Sequence, residues 1–403
     1  MLEERDHRGG ESGQAVCQFN GHADVLQLAA SRITSPADVA SDWRALEMRA
    51  APSFFQSWTW IETWLDRVQA ERVLLRATLA GRVVALGIVA QKAIRRRGVI
   101  PVNLISLHET GDPDLDRLAV EYNGFLIDAN APADLVPQII KAFAAWSSAV
   151  EFGAEWDELS LPGVDERWLA AANQSGLAIE IDRADPAFAM VLSRGADRDM
   201  LLSRLSANTR AQIRRSLRRL ADAGRFSVTP AGSLDEAHGW LDALATLNVE
   251  RWAKTPQQSA FSQPWFTRFH HDLLRRGWPR REVDVLAIRA GGSLVGHLYN
   301  FLAGGVAHNY AAGFAGQSDP HVKPGLTCHL LAAEHYAGQG FHLYDLMVGD
   351  ARFKRSLGTP HETLYWLRVQ RPRLALRAEA ALRAIKRRVT QLKDGARPSK
   401  RSK

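Results

Sequence analysis

The stretch that decides the fold is residues 291–338, which read GGSLVGHLYNFLAGGVAHNYAAGFAGQSDPHVKPGLTCHLLAAEHYAG. A glycine turn opens it, and strand-like runs follow at 294–302 and 305–313, so it predicts neighbouring antiparallel strands. A loop then leads into a predicted helix over 325–338. Pro324 stands at its start, where proline is preorganised and costs no hydrogen bond. The order strand, strand, loop, helix indicates a mixed α/β unit.

The start of this helix is a candidate anion site. The first N–H groups of a helix lack partners within it and carry the positive end of the helix dipole. Gly325 would let a ligand approach the backbone closely, and Lys323 would add a positive charge. The combination suits a pyrophosphate such as that of a coenzyme, although any Pro-Gly helix start has the same pattern.

A second informative segment is YDLMVGDARFK at residues 344–354. It predicts a strand, a glycine turn and a short helix. Asp345 lies near the carboxyl end of that strand, where α/β folds place their sites, and a carboxylate there could orient a nucleophile or take its proton. Asp350 and Lys354 are spaced to share one helix face. The alternative is that Asp350 caps the helix and pairs with Lys354 at the surface.

The third segment, SANTRAQIRRSLRRL at 206–220, predicts an amphipathic helix with rows of arginine. Arg210, Arg214 and Arg218 form one row, and Arg215 with Arg219 forms another. Guanidinium groups in such rows can grip phosphates bidentately. They can equally form a solvated helix face, and the sequence leaves both readings open.

The remainder of the chain shows the same order of elements twice: helices, a meander of strands, then a helix and a strand. The predicted fold class is therefore α/β (α+β), with two similar domains that each hold a mixed, largely antiparallel sheet flanked by helices. The predicted divisions are a flexible N-terminus (1–30), a first domain (31–190), bridging arginine-rich helices (191–225), a second domain (226–370) and a basic helical tail (371–403).

Two patterns in the first half concern packing. Trp60 and Trp64 lie four residues apart in a predicted helix, so they share a face that we expect in the core. Residues 122–128 predict a short strand.

Composition excludes several classes of protein. Of 403 residues, 46% are hydrophobic and 24% charged, which is typical of a globular chain. Two cysteines, Cys17 and Cys328, exclude a disulfide framework and a zinc ribbon. No phosphate loop, HExxH or GxSxG motif occurs, and the scattered histidines disfavour a metal site. Neither a secretory signal nor an apolar run of spanning length is evident, so we expect a cytoplasmic protein.

The net charge of +7 is concentrated at the C-terminal end. Residues 368–403 hold 13 Lys and Arg against two Asp and Glu, which leaves 38 basic and 42 acidic residues in the rest of the chain. Such a tail can bind anionic lipid at the inner membrane face, bind nucleic acid or a nucleotide, or only add solubility. The acidic balance of the body argues against a broad nucleic-acid surface.

Taken together and in this order, these segments resemble the GNAT-superfamily acyltransferases of the CelD-like type, which accompany bacterial exopolysaccharide gene clusters. These are in turn similar to Fem-type peptidoglycan aminoacyltransferases. The resemblance covers roughly residues 35–370, and residues 344–358 look like the family signature DF-x-x-GD-x-x-YK-x-x-x-G. Leu346 and Phe353 depart from it, since Phe and Tyr are usual there.

The resemblance implies two packed GNAT-like domains, with acetyl-CoA or another acyl-CoA as co-substrate in the second and no metal. It implies transfer of the acyl group to an amine or hydroxyl of a saccharide or lipid-linked saccharide precursor, in a cleft between the domains. The expected residues are, for coenzyme binding, Gly313, Phe314, Lys323, Pro324, Gly325, Leu326 and Thr327; for catalysis, Asp345, Asp350, Lys354, His297 and Tyr310; and for the acceptor, Arg210, Arg214 and Trp252.

Two other functions compete with this one. A Fem-like ligase would use aminoacyl-tRNA, and the arginine helix and basic tail would then bind RNA. A non-catalytic effector would be a decayed acyltransferase held to anionic lipid by its tail. Phe353 and Leu346, which depart from the signature, favour the second alternative weakly.

Overall fold

The computed structural model of the protein describes residues 26–253 and 258–379. The strands are β1 (Gln27–Ile33), β2 (Arg72–Leu79), β3 (Arg82–Arg96), β4 (Ile100–Leu107), β5 (Leu126–Ile127), β6 (Glu158–Val164), β7 (Ala178–Val191), β8 (Phe226–Pro230), β9 (Val283–Ala290), β10 (Ser293–Ala303), β11 (Val306–Phe314), β12 (Leu343–Val348) and β13 (Thr359–Gln370). The helices are α1 (Ala37–Glu47), α2 (Trp58–Arg67), α3 (Leu135–Ala145), α4 (Ala149–Phe152), α5 (Glu166–Gln174), α6 (Arg198–Ser203), α7 (Ala207–Ala221), α8 (Leu234–Trp252), α9 (Pro264–Gly277), α10 (Pro324–Gly338) and α11 (Arg352–Leu357).

The strands form one continuous sheet in the order β1-β2-β3-β4-β6-β13-β7-β12-β11-β10-β9-β8, with β5 beside β3. In the first half, β1 to β4 are antiparallel and β4 pairs parallel with β6. The second half repeats this, because β8 to β11 are antiparallel and β11 pairs parallel with β12. The predicted mixed α/β fold with two similar halves is confirmed.

The two halves exchange their last strands at the centre of the sheet. Strand β7 ends the first half but pairs with β12 of the second half. Strand β13 ends the second half but pairs with β6 of the first half. The two exchanged strands also pair with each other, from Ala178 opposite Gln370 to Ala189 opposite Thr359. Each half therefore supplies a strand that covers an edge of the other.

An aromatic core joins the halves on one face of the sheet. Helix α2 packs on α9, and Trp60 meets the ring of Phe269 edge to face, with 5.2 Å between the ring centroids. Trp60 is 0% and Trp64 2% exposed, so the predicted core positions are confirmed. Among the described residues, no helix has the length and apolarity needed to cross a membrane.

Three sequence expectations differ from the structure. The flexible N-terminus was expected to reach residue 30, but β1 begins at Gln27 and pairs with β2 along its length, although its alanine-rich sequence is a weak strand signal. Only Leu126 and Ile127 of the predicted strand at 122–128 are extended as a strand. The predicted tail helix begins as a helical turn at 374–379, and residues 380–403 lie outside the described chain.

Candidate functional site

Strands β11 and β12 separate soon after they meet. They pair from Val306–His308 against Leu343–Asp345, and no pairing continues beyond this in the described chain. A cavity of about 930 Å³ lies along the gap. Its lining includes Arg117, Ala119, Glu121, Asn248, Arg251, Trp252, Phe261, Phe266, Asn309, Tyr310, Ala311, Ala312, Phe314, Lys323, Pro324, Gly325, Leu326, His329, Leu346, Met347, Phe353 and Lys354. The lining is mostly apolar with a few charged groups, as is usual for ligand sites.

Helix α10 begins at Pro324, close to the predicted start, and this start lies at the wall of the cavity. Lys323 is the residue before the helix and Pro324 is in its first turn. A Cβ atom added to Gly325 would lie 3.2 Å from the ring of Phe314, so a larger residue there would crowd the cavity. A second depression adjoins the cavity and shares Arg251 and Lys323 with it. Its lining also includes Arg352 and Arg355, so the start of α10 stands among four cations.

A loop of the first half reaches into the second half's cavity. It leaves β4 at His108 and is fastened at three points. The Tyr310 hydroxyl donates to the Leu118 carbonyl over 2.9 Å, and the Val348 N–H donates to Glu121 Oε2 over 3.0 Å. The Tyr122 hydroxyl donates to Asp345 over 2.7 Å. The loop thus places the Glu121 carboxylate at the end of the gap between β11 and β12.

Burial is the dominant influence on the charges at this point. It raises the pKa of Glu121 to about 7, although the Val348 N–H and the Lys354 ammonium both act to lower it. Burial also lowers the pKa of Lys354, against the attraction of Glu121 and Asp345. The Lys354 ammonium donates to the carbonyls of Met347 and Val348. A carboxylate with such a pKa can take up a proton near neutral pH, which is what a general base requires.

Asp345 lies behind the cavity wall and organises it. Burial would raise the pKa of Asp345, but hydrogen bonds from His308, His361 and Tyr122 outweigh it and hold the pKa well below its ordinary value. His308 Nδ1 and Tyr122 Oη are each 2.7 Å from its carboxylate, and the Met347 N–H donates to it over 2.7 Å. Asp345 therefore stays ionised and positions its neighbours, rather than facing the cavity.

The backbone is strained where these groups meet. Ala119 and Tyr122 flank Glu121 and have φ values of 50°, and Met347 beside its hydrogen-bond partner has a φ of 63°. Non-glycine residues adopt such angles at a cost of order 1–3 kcal/mol, and they cluster at functional sites. The strain supports a functional reading of the segment around Glu121.

The structure brings together some of the catalytic candidates. Lys354 and Tyr310 line the cavity, but the Tyr310 hydroxyl is committed to the Leu118 carbonyl. His297 is buried against Trp240 outside the described cavity lining, and burial lowers its pKa to about 4. Asp350 does not share a helix face with Lys354 because α11 begins only at Arg352. It is exposed and pairs with Arg355 instead.

Five of the seven coenzyme candidates lie on the cavity wall. Phe314, Lys323, Pro324, Gly325 and Leu326 all line the cavity. The other two do not: the backbone at Gly313 packs on Leu244, and the Thr327 hydroxyl is hydrogen-bonded to Ser216 over 2.9 Å.

Of the acceptor candidates, only Trp252 lines the cavity. Arg210 donates to the Leu205 carbonyl over 2.6 Å, since it sits near the start of α7 and reaches back to the end of the preceding turn. Arg214 lies with Arg210 and Arg218 on a separate surface depression. Phe353, the departure from the family signature, stacks on His329 with 5.3 Å between ring centroids, so the Tyr hydroxyl is replaced by a packed ring.

Sequence reasoning missed Glu121, Tyr122 and Arg117. The only signal was a run of charged residues, DPDLDRLAVEY at 112–122, which was partly hidden by the predicted strand at 122–128. Within residues 26–253 and 258–379, no three His, Cys, Asp or Glu side chains converge as a metal site.

Residues 207–355 match a family described as the acetyltransferase (GNAT) domain. A search of curated proteins gives no match. Among solved structures, FemX aligns with a TM-score of 0.52 and 10% identity over 83% of this chain and 96% of its own. A conserved protein of unknown function from Bacteroides thetaiotaomicron VPI-5482 aligns with a TM-score of 0.50 and 10% identity over 84% and 98%. At this identity the likeness concerns the fold alone.

Proposed function

We propose that this protein transfers an acetyl or other acyl group from acyl-CoA to an amine or hydroxyl of a saccharide precursor in exopolysaccharide or cell-envelope synthesis. The observation that carries the proposal is Glu121, a buried carboxylate with a pKa of about 7 on the wall of the cavity between β11 and β12. The family match at residues 207–355 supports acyl transfer. The CelD-like resemblance alone supports the saccharide.

The cavity fits an acyl-CoA in two respects. The edge of β11 beyond His308 has no strand partner on the β12 side in the described chain, so its backbone groups can bond an extended pantetheine arm. The start of α10 offers N–H groups and the positive end of its dipole to a pyrophosphate. Lys323 and Arg251 on the cavity wall, with Arg352 and Arg355 beside it, would neutralise the phosphates.

The residues present can perform the reaction without a covalent enzyme intermediate. Glu121 accepts a proton from the acceptor while the freed lone pair attacks the thioester carbonyl. Backbone N–H groups at the gap stabilise the oxyanion, and the carbon–sulfur bond then breaks to release CoA. Lys354, held by the carbonyls of Met347 and Val348, keeps positive charge beside Glu121 and the developing negative charge.

Acetyl-CoA binding by calorimetry tests the coenzyme site. We expect saturable binding by the wild type and none by Gly325→Trp, because the new side chain would collide with Phe314 and fill the cavity. Gly338→Trp is the matched control, since Gly338 lies at the far end of α10 with open space around it. If Gly325→Trp still binds acetyl-CoA, the coenzyme site lies elsewhere than at the start of α10. A folded wild type that binds no acetyl-CoA would overturn the acetyl-CoA assignment.

One observation keeps an aminoacyl-tRNA-dependent ligase as a second candidate. Arg214, Arg215, Arg218 and Arg219 are exposed along α7, where they could contact RNA phosphates. Filter binding with aminoacylated tRNA at several salt concentrations would decide. Tight, salt-dependent binding that is lost on replacing two of these arginines favours the ligase. The open cavity with its buried carboxylate favours either enzyme over a decayed fold.

A further inference from the structure

We infer that the acceptor is a small amine that also carries an anionic group, and that Arg117 binds this group. The inference rests on the proposed function, because it assigns the part of the cavity that acyl-CoA would leave for the second substrate. Its basis is the placement of Arg117 and Glu121 on one fastened loop of the first half.

Apart from Lys354, which interacts with Glu121, the cations of the site fall into two groups. Arg251 and Lys323 line both the cavity and the adjoining depression, where Arg352 and Arg355 join them around the start of α10. Arg117 lines the cavity but is not part of that depression. The α10 group is therefore placed for the phosphates of the coenzyme, whereas Arg117 belongs to the region of the proposed base.

The turn that carries Arg117 is anchored, and the Arg117 guanidinium itself has, among the described residues, only a long ion pair at the surface. Arg117 lies in a short 3₁₀ turn, Asp116–Leu118, which is anchored at both ends. The Thr110 N–H and hydroxyl donate to Asp116 over 2.8 and 2.9 Å, and the Leu118 carbonyl accepts from Tyr310. The ion pair of Arg117 with Asp114 spans 3.8 Å, and the Asp114 side chain is 80% exposed. Such a surface pair is weak, so the guanidinium remains available to a ligand.

The spacing of Arg117 and Glu121 along the chain is compatible with a small acceptor. Residues 117 and 121 are joined by four peptide units, so their Cα atoms are at most about 14 Å apart even in a fully extended chain. The turn at 116–118 and the left-handed Ala119 shorten this further. An amine at Glu121 and an anion at Arg117 can therefore belong to one small molecule, such as a monosaccharide phosphate.

The same cavity offers apolar ring surfaces. Trp252 and Phe261 line the cavity together with Arg117 and Glu121. Flat aromatic faces are suited to the C–H surfaces of a sugar ring, while the charged groups fix its orientation. An amino sugar that carries a phosphate satisfies all three features.

The test compares matched acceptors that differ only in a phosphate: glucosamine 6-phosphate with glucosamine, and phosphoethanolamine with ethanolamine. Initial rates with acetyl-CoA are measured for the wild type, Arg117→Ala, Arg117→Lys and the control Arg95→Ala, since Arg95 is an exposed residue of β3 outside the cavity lining. We expect the wild type to prefer a phosphorylated member. In Arg117→Ala, the KM for the phosphorylated acceptor should rise about 10-fold or more, because a charge-assisted hydrogen bond contributes on that scale. The kcat should change little. Arg117→Lys should recover part of the loss, and Arg95→Ala should match the wild type.

Acetyl-CoA binding by calorimetry distinguishes a failure of the Arg117 assignment from a failure of the proposed acyl-CoA site. Unchanged binding by Arg117→Ala is expected and supports the assignment to the acceptor. Weakened binding of acetyl-CoA by Arg117→Ala would indicate that Arg117 contacts the coenzyme, and it would overturn the inference. A wild type that binds acetyl-CoA but shows no preference for a phosphorylated member, or acetylates neither member, also overturns it while the acyl-CoA site stands. If the wild type binds no acetyl-CoA, the result contradicts the proposed function itself.

Discussion

Glu121 is a carboxylate that folding removes from water and places beside a lysine. Its raised pKa follows from burial, because the ionised form loses hydration that one N–H and the Lys354 charge only partly replace. Asp345, which is buried nearby, shows the opposite result because two histidines and a tyrosine bond its charged form. The two neighbouring carboxylates are thus suited to different tasks, proton transfer and positioning.

Glu121→Gln should lower kcat/KM about 100-fold, the scale of general base catalysis, with acetyl-CoA binding retained. In the wild type the base must be ionised, so kcat/KM should fall as the pH drops below the Glu121 pKa of about 7 and level off above it. Glu121→Gln should lose this dependence. Steady-state rates between pH 5 and 9 provide the measurement.

Glu109→Gln is the matched control for this variant. Burial raises the pKa of Glu109 well above its ordinary value as well, and Glu109 lies in the same loop, but it is absent from the cavity lining. It should keep the wild-type pH profile. An unchanged rate in Glu121→Gln would show that another group accepts the proton.

At the scale of elements, the site depends on how firmly the loop between β4 and β5 is held over β11. Tyr310 projects from β11 and packs among aromatic rings, with a centroid distance of 4.6 Å to Phe301. Its hydroxyl carries the hydrogen bond to Leu118 that fixes the turn containing Arg117. The loop thus couples one strand of the second half to the position of the acceptor groups.

Tyr310→Phe should keep the ring packing and lose the hydrogen bond, which leaves a carbonyl without its donor. We expect a loss of about 1 kcal/mol in the free energy of unfolding and a several-fold lower kcat/KM, with acetyl-CoA affinity unchanged. Urea denaturation and steady-state kinetics measure the two effects. Tyr365→Phe on β13, outside the cavity lining, serves as control. Wild-type kinetics in Tyr310→Phe would contradict the role of this bond.

At the scale of the whole molecule, the exchange of β7 and β13 makes the halves interdependent. Without β13, strand β6 would present an open edge, and without β7, β12 would do the same. The aromatic core between α2 and α9 adds a second shared surface. The proposed catalytic groups also cross the division, since Glu121 comes from the first half and Lys354 from the second.

The intact chain should therefore unfold in one cooperative transition. Circular dichroism at 222 nm and tryptophan fluorescence, followed in the same urea titration, should give coincident midpoints. A fragment limited to residues 226–370 should aggregate, because the edge that β7 covers in the chain would be exposed. Two separated transitions, or a soluble and folded fragment, would show that the halves are independent domains.

The sequence by itself determined the local features of the second half. The helix start at Pro324, the strand and turn before α11 and the arginine rows of α7 each depend on neighbours within a few residues, which periodicity and capping rules report. The pattern repeated in both halves also predicted the tandem fold. The same local reasoning indicated an anion site at Lys323, Pro324 and Gly325, whereas Phe314 and Leu326 were expected from the family resemblance, and all five line the cavity.

Only the tertiary structure decided the groups that complete the site. Glu121 meets the N–H of Val348 across 227 positions of the chain, and Tyr122 meets Asp345 across 223. Local periodicity cannot report such contacts, because they arise when one half packs against the other. The pKa of Glu121 has the same origin, since burial by distant segments, and not its neighbours in sequence, removes its water.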